Sequence, residues 1–131
     1  MDDKVKTEWV NALRSGDYNQ IKGALRVIAP ENPGNKDVYG ESGYCCLGVL
    51  CDLAVKAGAI EPGVVKDDGH VEYEWDEIRE SSVLPGPVRD WAGLNHGNPI
   101  VRFNGGTATL ATINDTGHTF DKIADLIEEE L

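Results

Sequence analysis

The chain has 131 residues, 40% hydrophobic and 27% charged, which suits one folded domain spanning residues 1–131 and argues against intrinsic disorder. Its 23 acidic and 12 basic residues give a formal net charge of −11, so it repels polyphosphate and should not bind nucleic acid. A small anionic ligand is not excluded by this charge, because a few arginines in a cleft act within the screening length of about 8 Å.

The first third of the chain predicts a helix, a short strand and a long loop. Between Val5 and Arg14 the apolar residues fall on one helical face. Residues 24–29 are β-branched enough for a short strand. Residues 30–43 are rich in proline and glycine, which predicts a loop that is long for a domain of this size and is either a binding loop or a tolerated insertion.

Residues 44–57 predict the buried central helix of the domain. The charged positions there are Asp52 and Lys56, which are four residues apart and can pair on the surface. The other positions are apolar nearly all round, with Gly58 placed to end the helix. Gly48 indicates that another backbone, or a ligand, approaches the first turns closely.

The next segment predicts a β-hairpin, a short helix and a strand. Apolar and polar residues alternate from His70 to Trp75, after a turn that follows residues 64–66. Pro87 can open a short helix that ends at Gly93, and residues 100–103 read as a strand.

The C-terminal third predicts a helical hairpin. Two glycines lead into a helix that starts near Thr107 and ends at Gly117, and Thr119 can cap a last helix with apolar residues at helical spacing. The expected fold class is therefore α+β: a single small domain, mainly helical, with one or two short β-hairpins and a C-terminal helical hairpin.

The cysteines form the most conspicuous local cluster of the sequence. Cys45, Cys46 and Cys51 fall within seven residues, a spacing that suits a metal site poorly. Cys45 and Cys46 lie where the central helix should begin, and a helix N-terminus can activate a nucleophilic thiol. No basic partner is identifiable, so packing as small hydrophobic residues is the favoured interpretation.

A strand followed by Gly105, Gly106 and a helix start at Thr107 would present free backbone N–H groups to an anion. A simple turn explains the same residues. Asp115 and His118 could form an acid–base pair, although residues of this kind also shape turns through local hydrogen bonds.

Three segments of the chain carry a resemblance to a known group of proteins. They are YCCLGVLCDLA, then LPGPVRDWAGL, then LATINDTGHTFDKIADLIEEEL, which together cover most of residues 44–131. As a set they resemble a group of small proteins encoded by tailed bacteriophages. The resemblance implies a viral protein acting in the cytoplasm of the host cell and carries no catalytic residue with it.

This origin favours a function in evading host immunity, because phages carry small acidic proteins that sequester nucleotide-derived immune signals. We therefore expect a cytoplasmic protein that binds a small anionic, nucleotide-like ligand, such as a cyclic nucleotide or an ADP-ribose derivative, without cleaving it. The alternatives are an acidic protein that acts on a host protein as an inhibitor or as a mimic of nucleic acid, and an enzyme that degrades the signal. No metal, cofactor or membrane is expected, and a homo-oligomer is considered because small binding domains often build pockets between copies. The predicted ligand-binding residues supply charge, aromatic rings or hydrogen bonds: Arg26, Tyr44, Cys45, Cys46, Trp91, Arg102, Gly105, Gly106, Thr107, Asn114, Asp115 and His118.

Overall fold

Helices and short antiparallel strands alternate along residues 1–29 and 41–131, which are the part of the chain that this computed structural model describes. Within that part there are five helices: α1 (Asp3–Arg14), α2 (Cys46–Lys56), α3 (Gly86–Ala92), α4 (Leu110–Asp115) and α5 (Phe120–Glu130). The strands are β1 (Arg26–Val27), β2 (Gly43–Tyr44), β3 (Val64–Val65), β4 (Val71–Trp75), β5 (Ile78–Glu80), β6 (Ile100–Phe103) and β7 (Gly106–Thr109). The chain is thus one small α+β domain, as predicted.

The core lies between α1, α2 and α5. Its largest fully buried side chain is Trp9 of α1, whose indole Nε1 donates a hydrogen bond to the carbonyl oxygen of Cys46 at 2.9 Å. At the surface, Arg14 joins α1 to α5 with ion pairs of 2.6 Å to Asp125 and 2.6 Å to Glu128. The helix predicted between Val5 and Arg14 is confirmed as α1.

The strands of the described residues form three antiparallel sheets. The pair β1 and β2 sets Arg26 opposite Tyr44, and β3, β4 and β5 form a three-stranded sheet. The predicted hairpin is confirmed as β3 and β4, with Val71 and Tyr73 buried. Sequence reasoning missed β5, which continues the sheet after the two-residue turn Asp76–Glu77.

The predicted central helix is confirmed as α2, with one correction at its start. Tyr44 belongs to β2 and Cys45 is the N-cap, so the helix begins at Cys46 rather than at residue 44. Gly58, which follows α2, has φ +77°, a backbone conformation that favours glycine and suits the end of a helix. The predicted loop over residues 30–43 lies largely outside the described residues, and Gly43 is in β2.

The predicted helix start near Thr107 is wrong. Gly106–Thr109 is β7, which pairs with β6 in a hairpin and places Thr107 opposite Arg102. Helix α4 begins only at Leu110, where the side chain of Thr109 accepts a hydrogen bond from the backbone N–H of Thr112. The predicted last helix is confirmed as α5, capped by Thr119, so α4 and α5 form the expected helical hairpin.

No helix in residues 1–29 and 41–131 is long and apolar enough to cross a membrane.

Candidate functional site

A group of aromatic and charged side chains gathers where the pair β1–β2 meets α2. We call it the tyrosine cluster, and its members are Tyr18, Arg26, Tyr44, Asp52 and Lys56. Because Arg26 and Tyr44 are directly opposite across the two strands, the guanidinium carbon lies 4.7 Å from the centre of the Tyr44 ring. Tyr18 meets the same ring edge-on, with ring centres 4.9 Å apart and planes inclined at 84°.

Asp52 and Lys56 hold the other side of the tyrosine cluster. The Tyr18 hydroxyl donates to Asp52 Oδ2 at 2.6 Å, and Lys56 Nζ lies 3.0 Å from the same oxygen. Lys56 Nζ is also 5.6 Å from the centre of the Tyr18 ring. The pairing predicted for Asp52 and Lys56 from their spacing is confirmed.

Protonation in the tyrosine cluster is fixed by these contacts. Burial, followed by the hydrogen bond to Asp52, raises the pKa of Tyr18, and burial also raises the pKa of Tyr44. The hydrogen bond to Asp52 and then that to Tyr18 raise the pKa of Lys56 above its usual value. Both phenols are therefore neutral at neutral pH, which leaves the formal charges of Arg26, Lys56 and Asp52 as the charges of the cluster.

This charge balance sets the tyrosine cluster apart from the chain as a whole. Its two cations and one carboxylate sum to +1, against a net charge of −11 for the chain. No ion pair joins Arg26 to another residue of the described ranges. The cluster can offer an anion a guanidinium beside an aromatic face, which is the combination that a charged, flat ligand requires.

The N-terminus of α2 is occupied by the protein itself. The backbone N–H of Cys46 donates to Asn114 Oδ1 at 3.2 Å, and that of Cys45 donates to the carbonyl oxygen of Leu25 at 3.1 Å. A Cβ added to Gly48 would lie 1.7 Å from the same Leu25 oxygen. The close approach predicted at Gly48 is thus that of the β1 segment's backbone.

The cysteine side chains have the chemistry of packed core residues. Cys45 is 3% exposed and Cys46 and Cys51 are fully buried, and all three are free thiols. Burial raises the pKa of Cys45 to about 11 and raises the pKa values of Cys46 and Cys51 well above the usual 9.0. A thiol held protonated in this way is a poor nucleophile. Among the described residues, no three His, Cys, Asp or Glu side chains are grouped to hold a metal ion.

Asn114 is a fully buried polar residue whose hydrogen-bonding groups are all used. Its Oδ1 accepts from Gln20 Nε2 at 2.9 Å as well as from Cys46, and its Nδ2 donates to the carbonyl oxygen of Ile21 at 2.8 Å and to Asp115 Oδ1 at 3.0 Å. Asn114 therefore ties α4 to α2 and to the segment before β1. No capacity is left for a ligand, and its predicted binding role gives way to a structural one.

Asp115 and His118 do not form the acid–base pair considered above. Asp115 Oδ1 accepts from the backbone N–H of Gly23 at 3.1 Å, while the His118 ring packs edge-on against Phe103, with ring centres 4.9 Å apart. Asp115 is thus a local hydrogen-bonder, as the alternative interpretation held.

Arg102 is committed to Glu130 of α5. Its backbone N–H and Nε donate to Glu130 Oε1 at 2.6 and 3.0 Å, and its Nη2 donates to Oε2 at 3.0 Å. A shallow cleft of about 410 Å³ lies beside this pair, lined in part by Gly105 and Lys122. Opposite charges in its lining offset one another, so the cleft offers an anion little attraction.

The remaining predicted residues do not join a site. Gly105, Gly106 and Thr107 are exposed in the β6–β7 hairpin and have no helix N-terminus beside them, which removes the anion site proposed there. Trp91 is half-buried in α3 and packs against the core. Of the predicted residues, the structure brings Arg26 and Tyr44 together in a group with binding chemistry, and it adds Tyr18, Asp52 and Lys56.

We expect the pairing of Glu130 with Arg102 to make the fold sensitive to acid. Hydrogen bonds from the Arg102 side chain, and then from its backbone, lower the pKa of Glu130 from the usual 4.5. A carboxylate with a lowered folded-state pKa stabilises the fold above its unfolded value, and this stabilisation is lost as pH falls through the folded value. Glu130→Gln should therefore melt below the wild type near pH 7, and the difference should shrink on acidification to about pH 3.

The matched control is Glu129→Gln, which neutralises the neighbouring exposed carboxylate. Glu129 forms no ion pair within the described residues, so its loss should leave the melting temperature nearly unchanged at both pH values. Thermal unfolding followed by circular dichroism measures both variants. If both variants had the same melting temperature at each pH, the contacts between Arg102 and Glu130 would contribute nothing to stability.

Fold and site together define a small α+β protein with a local cationic and aromatic cluster on an acidic chain. The chain belongs to the family described as a domain of unknown function, DUF8296, whose family model matches residues 1–131. Comparisons with curated proteins and with solved structures gave no match.

Proposed function

We propose that the protein binds a small anionic ligand carrying a flat ring, such as a cyclic nucleotide or an ADP-ribose derivative, and sequesters it without cleaving it. In this proposal the protein is phage-encoded and acts in the host cytoplasm, where removal of such a signal would blunt an immune response. The observation that carries the proposal is the tyrosine cluster, in which Arg26 lies over the Tyr44 ring.

Two physical arguments support binding at the tyrosine cluster. Arg26 and Lys56 supply positive charge at short range, where the negative net charge of the chain is largely screened. The half-buried rings of Tyr18 and Tyr44 are held edge to face, so a stacked base would bind to rings that are already ordered.

The state of the buried thiols and of Asp115 supports sequestration over degradation. The buried thiols of Cys45 and Cys46 have raised pKa values, and Asp115 is turned toward Gly23 rather than toward His118. These were the groups considered for an enzyme, so the described residues give that alternative less support than they give binding.

The test is a thermal-shift and equilibrium-filtration screen with cyclic nucleotides and ADP-ribose. A ligand at a hundredfold excess over its dissociation constant should stabilise the fold by about 2.7 kcal/mol. Arg26→Gln should weaken the affinity about tenfold, because it removes the cation above Tyr44. Tyr44→Phe, which keeps the ring, should bind better than Tyr44→Leu, which removes it.

The matched control is Arg79→Gln, an equal loss of charge on the exposed face of the β3–β4–β5 sheet. Equal weakening by Arg79→Gln and Arg26→Gln would mean that overall charge rather than the tyrosine cluster drives binding. The proposal fails if none of these ligands is retained. Recovery of a chemically altered ligand after denaturation would replace sequestration with an enzymatic reaction.

A further inference from the structure

The turn between β4 and β5 borders a second surface with distinct chemistry. A cleft of about 610 Å³ is lined there by six consecutive residues: Glu74, Trp75, Asp76, Glu77, Ile78 and Arg79. We call it the hairpin cleft. It is built from β4, β5 and their turn, whereas the tyrosine cluster is built from β1, β2, α2 and the segment between α1 and β1 that carries Tyr18.

The apolar part of the hairpin cleft consists of Trp75 and Ile78. They are opposite one another across β4 and β5, so their side chains lie on the same face of the sheet. Trp75 is half-buried and packs against the core, whereas Ile78 is 52% exposed. The pair can receive an apolar side chain on a tryptophan that the core holds in place.

The charges around this apolar pair are mainly negative. Asp76 and Glu77 form no ion pair with another residue of the described ranges. The one lining cation, Arg79, has its Nε 3.8 Å from Glu74 Oε1 and 3.8 Å from Glu72 Oε1. Two unpaired carboxylates therefore remain beside Trp75 and Ile78.

The turn between β4 and β5 has positive φ values at both of its residues. Asp76 has φ +45°, a value that aspartate tolerates, whereas Glu77 has φ +66°, which a glutamate adopts at an energetic cost. A two-residue hairpin turn of this kind favours Asn-Gly or Asp-Gly. The chain thus carries a carboxylate, Glu77, where glycine would make the more stable turn.

We infer that the hairpin cleft docks a basic segment of another protein, which inserts an apolar side chain between Trp75 and Ile78 while its lysines or arginines contact Asp76 and Glu77. Charge complementarity selects this partner, because two carboxylates without an ion pair in the described part of the chain flank the apolar pair, and the chain has a net charge of −11. This surface acts independently of the tyrosine cluster.

The experiment titrates the whole protein with a lysine-rich peptide that has leucines at alternate positions. Binding is measured from the amide chemical shifts of the protein. The decisive variant is Asp76→Asn combined with Glu77→Gly, which removes both carboxylates and supplies the favoured turn residues, so it should fold at least as stably as the wild type. Its affinity for the peptide should fall about tenfold. Ile78→Ser should weaken binding while leaving the charges in place.

The matched control is Glu8→Gln combined with Glu129→Gln, which removes two exposed carboxylates from α1 and α5. It should bind the peptide within about twofold of wild type, with shift changes confined to the β4–β5 hairpin. A peptide with serine in place of leucine should bind more weakly than the leucine peptide.

The inference is overturned if the serine peptide binds equally, if the two double variants weaken binding equally, or if the shifts map to α5. It is also overturned if the protein alone forms a dimer that Ile78→Ser dissociates, since a second copy would then be the occupant. None of these outcomes depends on nucleotide binding, so the tyrosine cluster is tested separately.

Discussion

Gly48→Ala should destabilise the protein more than an ordinary glycine substitution. The new Cβ would lie 1.7 Å from the carbonyl oxygen of Leu25 and 2.6 Å from its carbonyl carbon, and both atoms belong to the backbone. To relieve this clash, α2 must move away from the segment before β1. Leu25 is fully buried, so such a movement would disturb the core. We expect a loss of about 3 kcal/mol, at the upper end of overpacking effects, and a melting temperature lower by about 10 °C.

Gly106→Ala is the matched control for Gly48→Ala. A Cβ on Gly106 meets no other atom within 4 Å, and Gly106 lies in β7 without a positive φ. The free energy of unfolding of the Gly106→Ala variant should stay within about 1 kcal/mol of that of the wild type. Chemical denaturation of both variants measures the two free energies of unfolding. If the two variants had similar free energies of unfolding, α2 could move away from Leu25 without cost, and the close packing at Gly48 would not stabilise the fold.

Asn114→Leu should also lower the free energy of unfolding strongly, because it leaves buried polar groups without hydrogen-bond partners. The substitution keeps a similar volume but removes the acceptor of the Cys46 N–H and of the Gln20 amide, and the donor to the Ile21 carbonyl. Each buried group left without a partner costs about 1–3 kcal/mol, so we expect a total loss of about 4 kcal/mol. Hydrogen exchange at the Cys46 amide should accelerate as well.

Asn11→Leu controls for the substitution itself. Asn11 is a helical but exposed residue in α1, and the same change there should alter the free energy of unfolding by about 0.5 kcal/mol or less. If Asn114→Leu unfolds at the same denaturant concentration as Asn11→Leu, the hydrogen bonds of Asn114 do not stabilise the fold.

Most of the fold could be predicted from local patterns, because periodicity and capping act over a few residues. The helices α1, α2 and α5 follow from apolar spacing, and β6 follows from a short apolar run before a glycine turn. The error at Thr107 has a physical cause. A Gly-Gly turn fits either a helix start or a hairpin, and only the pairing of Arg102 with Thr107 decides between them. The hydroxyl of Thr109 was the available signal for the later helix start.

The candidate site was less accessible to sequence reasoning, because tertiary packing assembles it. Arg26 and Tyr44 were predicted as binding residues, but their contact depends on the register between two strands that are not adjacent in the sequence. Tyr18 reaches Asp52 across 34 residues, a pairing that no local pattern indicates. The predicted roles of Arg102 and Asn114 gave way to structural contacts for the same reason.

The joining of α1 to α5 by Arg14 has a consequence for how the protein is made. The partners Arg14 and Asp125 are 111 residues apart, so at roughly 5–20 residues per second α1 leaves the ribosome on the order of ten seconds before α5 exists. During that interval the apolar face of α1, with Trp9 at its centre, can pack against α2 but not yet against α5. The native core can therefore close only near the end of translation, and a nascent chain stalled before α5 would be a target for chaperones.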